Sequence, residues 1–98
     1  MAEAAELLVE DNQQERRYEA RLGSEVAGFI AYRLEAGRIT LIHTEVYPEF
    51  EGRGIASRLA AGALDDIRRR GLAVVPVCNF VRGYLERHPE YADLVTTT

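Results

Sequence analysis

Pro48-Glu49-Phe50-Glu51-Gly52-Arg53-Gly54-Ile55-Ala56 is where the hydrophobic period of this chain changes. Downstream, Ile55, Ala56, Leu59, Ala60, Ala63, Leu64 and Ile67 recur at spacings of three and four, the single apolar stripe of an amphipathic helix. Arg68, Arg69 and Arg70 fall in its last turn, where cations complement the helix dipole, and Gly71 is the expected terminator. Upstream, the runs are short, β-branched and closed by turn residues. A strand, a glycine turn and a helix in that order set the frame for the rest of the chain.

Working back from the turn, Arg38 to Tyr47 reads as a strand, preceded by Ala36-Gly37 and by the apolar, aromatic run Val26 to Leu34. Gly23-Ser24 turns the chain before that, and Glu6 to Asp11 with Arg16 to Leu22 form a hairpin around Asn12-Gln13-Gln14. This is an antiparallel meander of about four strands. Working forward, Leu72 to Val77 is a short continuous apolar run, expected as a buried fifth strand parallel to the fourth and reached by a right-handed crossover. A short C-terminal helix starts at Asn79 or Phe80, with Asn79 suited to cap it, and ends before Pro89. Glu90 to Val95 adds a helical turn, while residues 1–5 and 96–98 are expected to be loose tails. The fold class is therefore α/β (α+β), a mixed sheet with a crossover helix.

Composition narrows the function classes. With 98 residues the chain has room for one core and one domain. Its net charge of −4 argues against non-specific nucleic-acid binding, which needs a basic face. No stretch is long and apolar enough for a membrane span, and the acidic start is no signal peptide. The single cysteine, Cys78, cannot close an internal disulfide and fits a reducing compartment, so the chain is expected to be cytoplasmic. All twelve basic residues are Arg, so no lysine can form a Schiff base, and no metal is expected.

Glycines ahead of a helix let an anion approach the free amides of the first helical turn, whose dipole adds to the attraction. The turn lacks the Gly-Lys-Ser/Thr of a P-loop and the full dinucleotide fingerprint, so both of those readings fall. Cys78 sits between the fifth strand and the last helix, where the helix dipole favours a thiolate; the competing reading is a small core filler. His43, on the fourth strand, shares a face with Ile39, Leu41, Glu45 and Tyr47 if alternation holds, and is the best-placed proton acceptor for Cys78 or for an amine. The plainer alternative is a half-buried structural histidine.

The glycine turn in this setting resembles the signature Arg/Gln-x-x-Gly-x-Gly/Ala of the GNAT acetyltransferases, with Gly54 and Ala56 on the last two signature positions. Glu51 departs from it, standing where Arg or Gln is usual. Leu41-Ile42-His43-Thr44-Glu45-Val46, Val77-Cys78 and Phe80 to Tyr91 also resemble the minimal, single-domain (Yjdj-type) branch of that superfamily, over roughly the last 60 residues. The resemblance implies an acetyl-CoA-dependent N-acetyltransferase acting on an amine of a small molecule or peptide. It implies that Gly52, Arg53, Gly54, Ile55 and Ala56 hold the coenzyme A pyrophosphate and that Val46 and Asn79 meet its pantetheine arm. It further implies that Cys78 lies near the thioester and that Tyr84 protonates the departing thiolate, the plainer alternative for Tyr84 being core packing. Arg53, Arg58 and Arg82 are candidates for the cofactor's phosphates, or else plain solvated cations. The chain lacks the helices most GNAT enzymes place between their first two strands, which favours an alternative reading as a non-catalytic coenzyme A-binding module.

Overall fold

The computed structural model describes residues 6–96. Five strands, Leu7–Asn12 (β1), Arg17–Leu22 (β2), Glu25–Glu35 (β3), Arg38–Val46 (β4) and Ala73–Pro76 (β5), lie in one sheet in chain order. β1 to β4 are antiparallel neighbours and β5 runs parallel to β4, as the sequence implies. Two helices, Ile55–Arg69 (α1) and Asn79–Arg87 (α2), flank β5 in the chain, with a 3-10 turn at Pro48–Phe50 before α1 and another at Pro89–Leu94 after α2.

α1 is the crossover helix, and its apolar stripe meets the sheet: Ile55, Leu59, Ala60, Ala63, Leu64 and Ile67 are all buried. Against them stand Tyr18, Ala20, Ile30, Tyr32, Ile39, Leu41 and Val74 from four strands. α1 closes in a Schellman arrangement, with Gly71 N–H donating to Arg68 O and Leu72 N–H to Ile67 O. Mid-helix Gly62 costs about 1 kcal/mol of helix propensity relative to Ala. Its place is set by β1: a Cβ there would stand 2.7 Å from Val9 Cβ, so only glycine lets helix and strand approach this closely.

Polar bonds fix how α1 lies on the sheet. Tyr18 donates its hydroxyl to Asp66 Oδ2 at 2.7 Å and Tyr32 donates to Asp11 Oδ1 at 2.6 Å. Arg70 reaches both carboxylates, Asp11 at 2.6 Å and Asp66 at 3.0 Å. β1, β2 and β3 are thereby tied to the second half of α1. Tyr91 donates to Asp65 at 2.7 Å and Arg68 pairs with Asp93 at 2.9 Å, so the last 3-10 turn also leans on α1. The chain end departs from expectation at one residue: Thr96 N–H bonds Val74 O at 2.8 Å, because β5 otherwise has an unpaired outer edge. Residues 1–5, 97 and 98 lie outside the described residues.

The opposite face of the sheet is covered by no described helix and carries a charged cluster beside Phe29 and the exposed Leu8. On it the buried Glu19 carboxylate collects Arg17 at 2.8 Å, Asn12 at 3.0 Å and Arg21 at 3.3 Å. Burial alone would raise its pKa, but these donors, Arg17 foremost, outweigh burial and hold it below the ordinary carboxylate range.

Burial, then the neighbouring carboxylates, push the hydroxyls of Tyr18 and Tyr32 far above the ordinary tyrosine value, and that of Tyr91 up to about 12. A raised folded-state pKa gives stability that is complete below the unfolded value of about 10 and is lost as pH rises through the folded values. Denaturant titrations at stepped pH should therefore show stability unaffected by these groups up to about pH 10 and falling above it. Tyr18→Phe should blunt that fall. Stability that stays level to about pH 12 would refute the account.

Candidate active site

The parallel ladder of β4 with β5 runs from Arg38 opposite Ala73 to Leu41 opposite Pro76 and then stops. One local cause acts there. The β3 register jumps from Tyr32 opposite Leu41 to Ala31 opposite His43, leaving Ile42 as a bulge in β4, while Pro76, which lacks an N–H, faces the outer edge of β5 as Val74 does. Val77 N–H at 3.0 Å and Cys78 N–H at 2.9 Å both turn back onto the one carbonyl of Leu41. β4 continues to Val46 without its neighbour, so the two strands splay into a notch with Val77, 54% exposed, on the far lip.

The bulge also decides which side chains face which way, and it overturns the simple alternation expected for His43. Paired residues point to the same side of a sheet, and Ala31 and Tyr32 point to opposite sides. His43 and Glu45 therefore lie on the open face, away from Ile39 and Leu41, while Thr44 and Val46 turn toward the helices. His43 Nε2 stands 3.3 Å from Glu45 Oε1 and its ring meets Phe29 edge-on at 6.2 Å, with the side chain 60% exposed. Cys78 is only 7% exposed and its Sγ lies 3.1 Å from Thr44 Oγ1. The β4 side chain at the sulfur is thus Thr44, which the alternating pattern passed over. A signal was available in Leu41-Ile42, two adjacent apolar residues that break the alternation.

Below the notch, the 3-10 turn Pro48–Phe50 leads into Gly52 and Gly54, at φ 83° and 72°. Both conformations are left-handed, which glycine adopts without strain. Gly54 caps α1, and the first helical bond runs from Arg58 N–H to Gly54 O at 3.3 Å. The amides of Ile55, Ala56 and Ser57 consequently have no acceptor inside the helix. They border a cleft of about 230 Å³ whose apolar wall is Val46 and Phe50. Nothing stands within 4 Å of where a Cβ on Gly52 or Gly54 would be, so the approach is open. The structure therefore brings Val46, Gly52, Gly54, Ile55 and Ala56 together around one concavity. Arg53 lies over the Phe50 ring at 5.8 Å, and Glu51 sits exposed on the rim.

Two expected residues sit differently. Asn79 does not cap α2: Cys78 is the N-cap and Asn79 is the first helical residue, exposed, because the chain has already turned at Val77-Cys78 onto the Leu41 carbonyl. Tyr84 is buried one to two turns into α2, stacked on His88 at 4.0 Å and beside Phe80 and Tyr91. Burial foremost, then Glu90 and Asp65, raise its pKa, which keeps the phenol protonated. Among the described residues Tyr18, Tyr32 and Tyr91 each donate to an aspartate, whereas the Tyr84 hydroxyl makes no such bond.

Comparison with known proteins agrees with this fold. A family model described as GCN5-related N-acetyl-transferase matches residues 17–94. The chain is 35% identical over 83 residues to Protein NATD1 of Mus musculus, spanning 83% of this chain and 76% of that one. It is 30% identical over 91 residues to Protein NATD1 of Xenopus tropicalis, spanning 91% and 84%. The solution structure of a GCN5-like protein from Staphylococcus aureus superposes with a TM-score of 0.69 at 21% identity, covering 99% of this chain and 93% of that chain, and so shares the fold. With most of its length matched, the chain belongs to the GCN5-related N-acetyltransferase family.

Proposed function

We propose that the chain transfers an acetyl group from acetyl-CoA to an amine of a small molecule or peptide. The observation that carries this reading is what the helix face of the splay holds: unpaired α1 amides behind two open glycines, an apolar wall of Val46 and Phe50, and Cys78 against Thr44, two residues along β4 from Val46. Dianionic phosphate suits the first, an uncharged arm the second. When bound, acetyl-CoA supplies an activated thioester.

Ile55, Ala56 and Ser57 amides hold the pyrophosphate, and the splayed β4 edge orients the arm. Two routes fit the residues present. In direct transfer the amine nitrogen bonds the acetyl carbon as the carbon–sulfur bond of the thioester breaks. His43, or a water, takes the amine proton, and Tyr84 or Cys78 gives one to the leaving thiolate. The position of His43 on the open face supports a role toward the acceptor rather than toward Cys78. In the second route Cys78 Sγ bonds the acetyl carbon first, its proton passes to the leaving sulfur, and the amine then takes the acetyl group from Cys78. Intact mass after mixing with acetyl-CoA separates the routes. One added acetyl group that disappears in Cys78→Ala supports the second, and full transfer by Cys78→Ala refutes it.

Glu51 favours a second reading, a coenzyme A-binding module without turnover, because it sets a carboxylate on the rim of the phosphate cleft. Binding without loss of the acetyl group would select that reading. In either case Glu51→Gln should tighten coenzyme A binding a few-fold, about 0.5–1 kcal/mol, with the gain shrinking as salt rises over the screening length of about 8–10 Å. Calorimetric titration at two salt concentrations checks it, and a gain indifferent to salt would sink the electrostatic account.

The glycine turn is tested at Gly54. Its left-handed conformation would strain valine, so Gly54→Asn is the cleaner variant, since asparagine tolerates that region. Its side chain stands where the phosphates approach. Coenzyme A binding should fall at least about tenfold, roughly 1.4 kcal/mol, while the melting temperature changes little. Equal affinities would move the site away from this turn.

A further inference from the structure

Cys78 is anchored to β4 on both sides of the bulge. Before it, the Cys78 amide bonds Leu41 O at 2.9 Å; after it, Thr44 Oγ1 meets the sulfur at 3.1 Å. Thr44 is half-buried on the helix face, two residues from Val46 in the cleft wall, and its β-branched side chain holds few rotamers. No other described side chain makes a polar contact with Cys78, and His43 points to the opposite face of the sheet. A hydroxyl is both donor and acceptor, so Thr44 can take the S–H of a neutral thiol and turn its own O–H toward a sulfur that bears charge. A hydrogen bond to a charged group is the stronger kind.

We propose that Thr44 is the positioning residue of this site: its hydroxyl fixes the Cys78 sulfur at the head of the splay and donates to it when it becomes negative. The role assigned to His43 at the sulfur by the alternating pattern passes to Thr44. This rests on the reading that Cys78 faces the thioester, but it is testable without acetyl-CoA.

The probe is iodoacetamide, which forms a carbon–sulfur bond at Cys78 with loss of iodide, followed by intact mass at one fixed pH. Thr44→Val, which keeps the shape and loses the hydroxyl, should slow alkylation about tenfold, as expected for one lost hydrogen bond to a charged acceptor. Thr44→Ala, which cannot overpack, should slow it similarly. Thr44→Ser should stay within about threefold of the parent, a rescue that a purely packing role would not produce. His43→Ala should leave the rate within about twofold. The melting temperature serves as the check that each variant keeps its fold. Hydroxyl-free variants that alkylate at the parent rate, or a serine variant as slow as the valine one, would overturn the proposal. If alkylation depends on Thr44 while the parent chain gains no acetyl group from acetyl-CoA, the acyl-enzyme route fails and the positioning role stands.

Discussion

The end of the β4–β5 ladder at Leu41 is the constraint on which the rest of the site depends. A parallel pair separates only where backbone groups stop exchanging bonds, and here the Ile42 bulge breaks the regular phase of β4 just past Leu41. The chain does not leave the freed donors unpaired: Val77 and Cys78 both bond Leu41 O. That shared carbonyl starts α2 and sets Cys78 at its N-cap. A notch opens in the sheet without buried unsatisfied side-chain polar atoms among the described residues.

A notch is useful only if the amides beneath it are held still. The start of α1 has no side-chain cap, and its two preceding glycines are the permissive part of the loop. Rigidity comes from elsewhere: Ile55 is buried at the first turn, Gly62 admits Val9 against the helix, and Tyr18, Tyr32, Asp11, Asp66 and Arg70 tie the second half of α1 to three strands. The clamp and the candidate anion site sit at opposite ends of one fifteen-residue helix. One end is fixed so that the other can be left uncapped.

The open face gives the chain its second character. Where helices cover only one side of a sheet, the other must be soluble in its own right, and here it is lined by Arg17, Glu19 and Arg21 in mutual contact. His43 and Glu45 emerge on this face at the level of the notch, while the cleft and Cys78 lie on the other. The splay thus has two distinct approaches. This supports the proposal of a donor held on the helix side and an acceptor arriving from the open side.

Most of the architecture was legible in the sequence. Periodicity found four strands and a helix, Gly71 ended that helix, and Gly52-Arg53-Gly54 ahead of an apolar stripe marked a candidate anion site, because these features are written in neighbouring residues. What alternation could not supply was the phase of β4 beyond Leu41. A bulge is created by the partner strand's register, so whether His43 or Thr44 faces Cys78 was settled only when β3 paired with β4. The cap of α2 was likewise decided at a distance, by the Leu41 carbonyl drawing in the Cys78 amide, so that Asn79 became the first helical residue rather than the cap. Local spacing determined which residues could serve a site; long-range hydrogen bonding decided which of them meet.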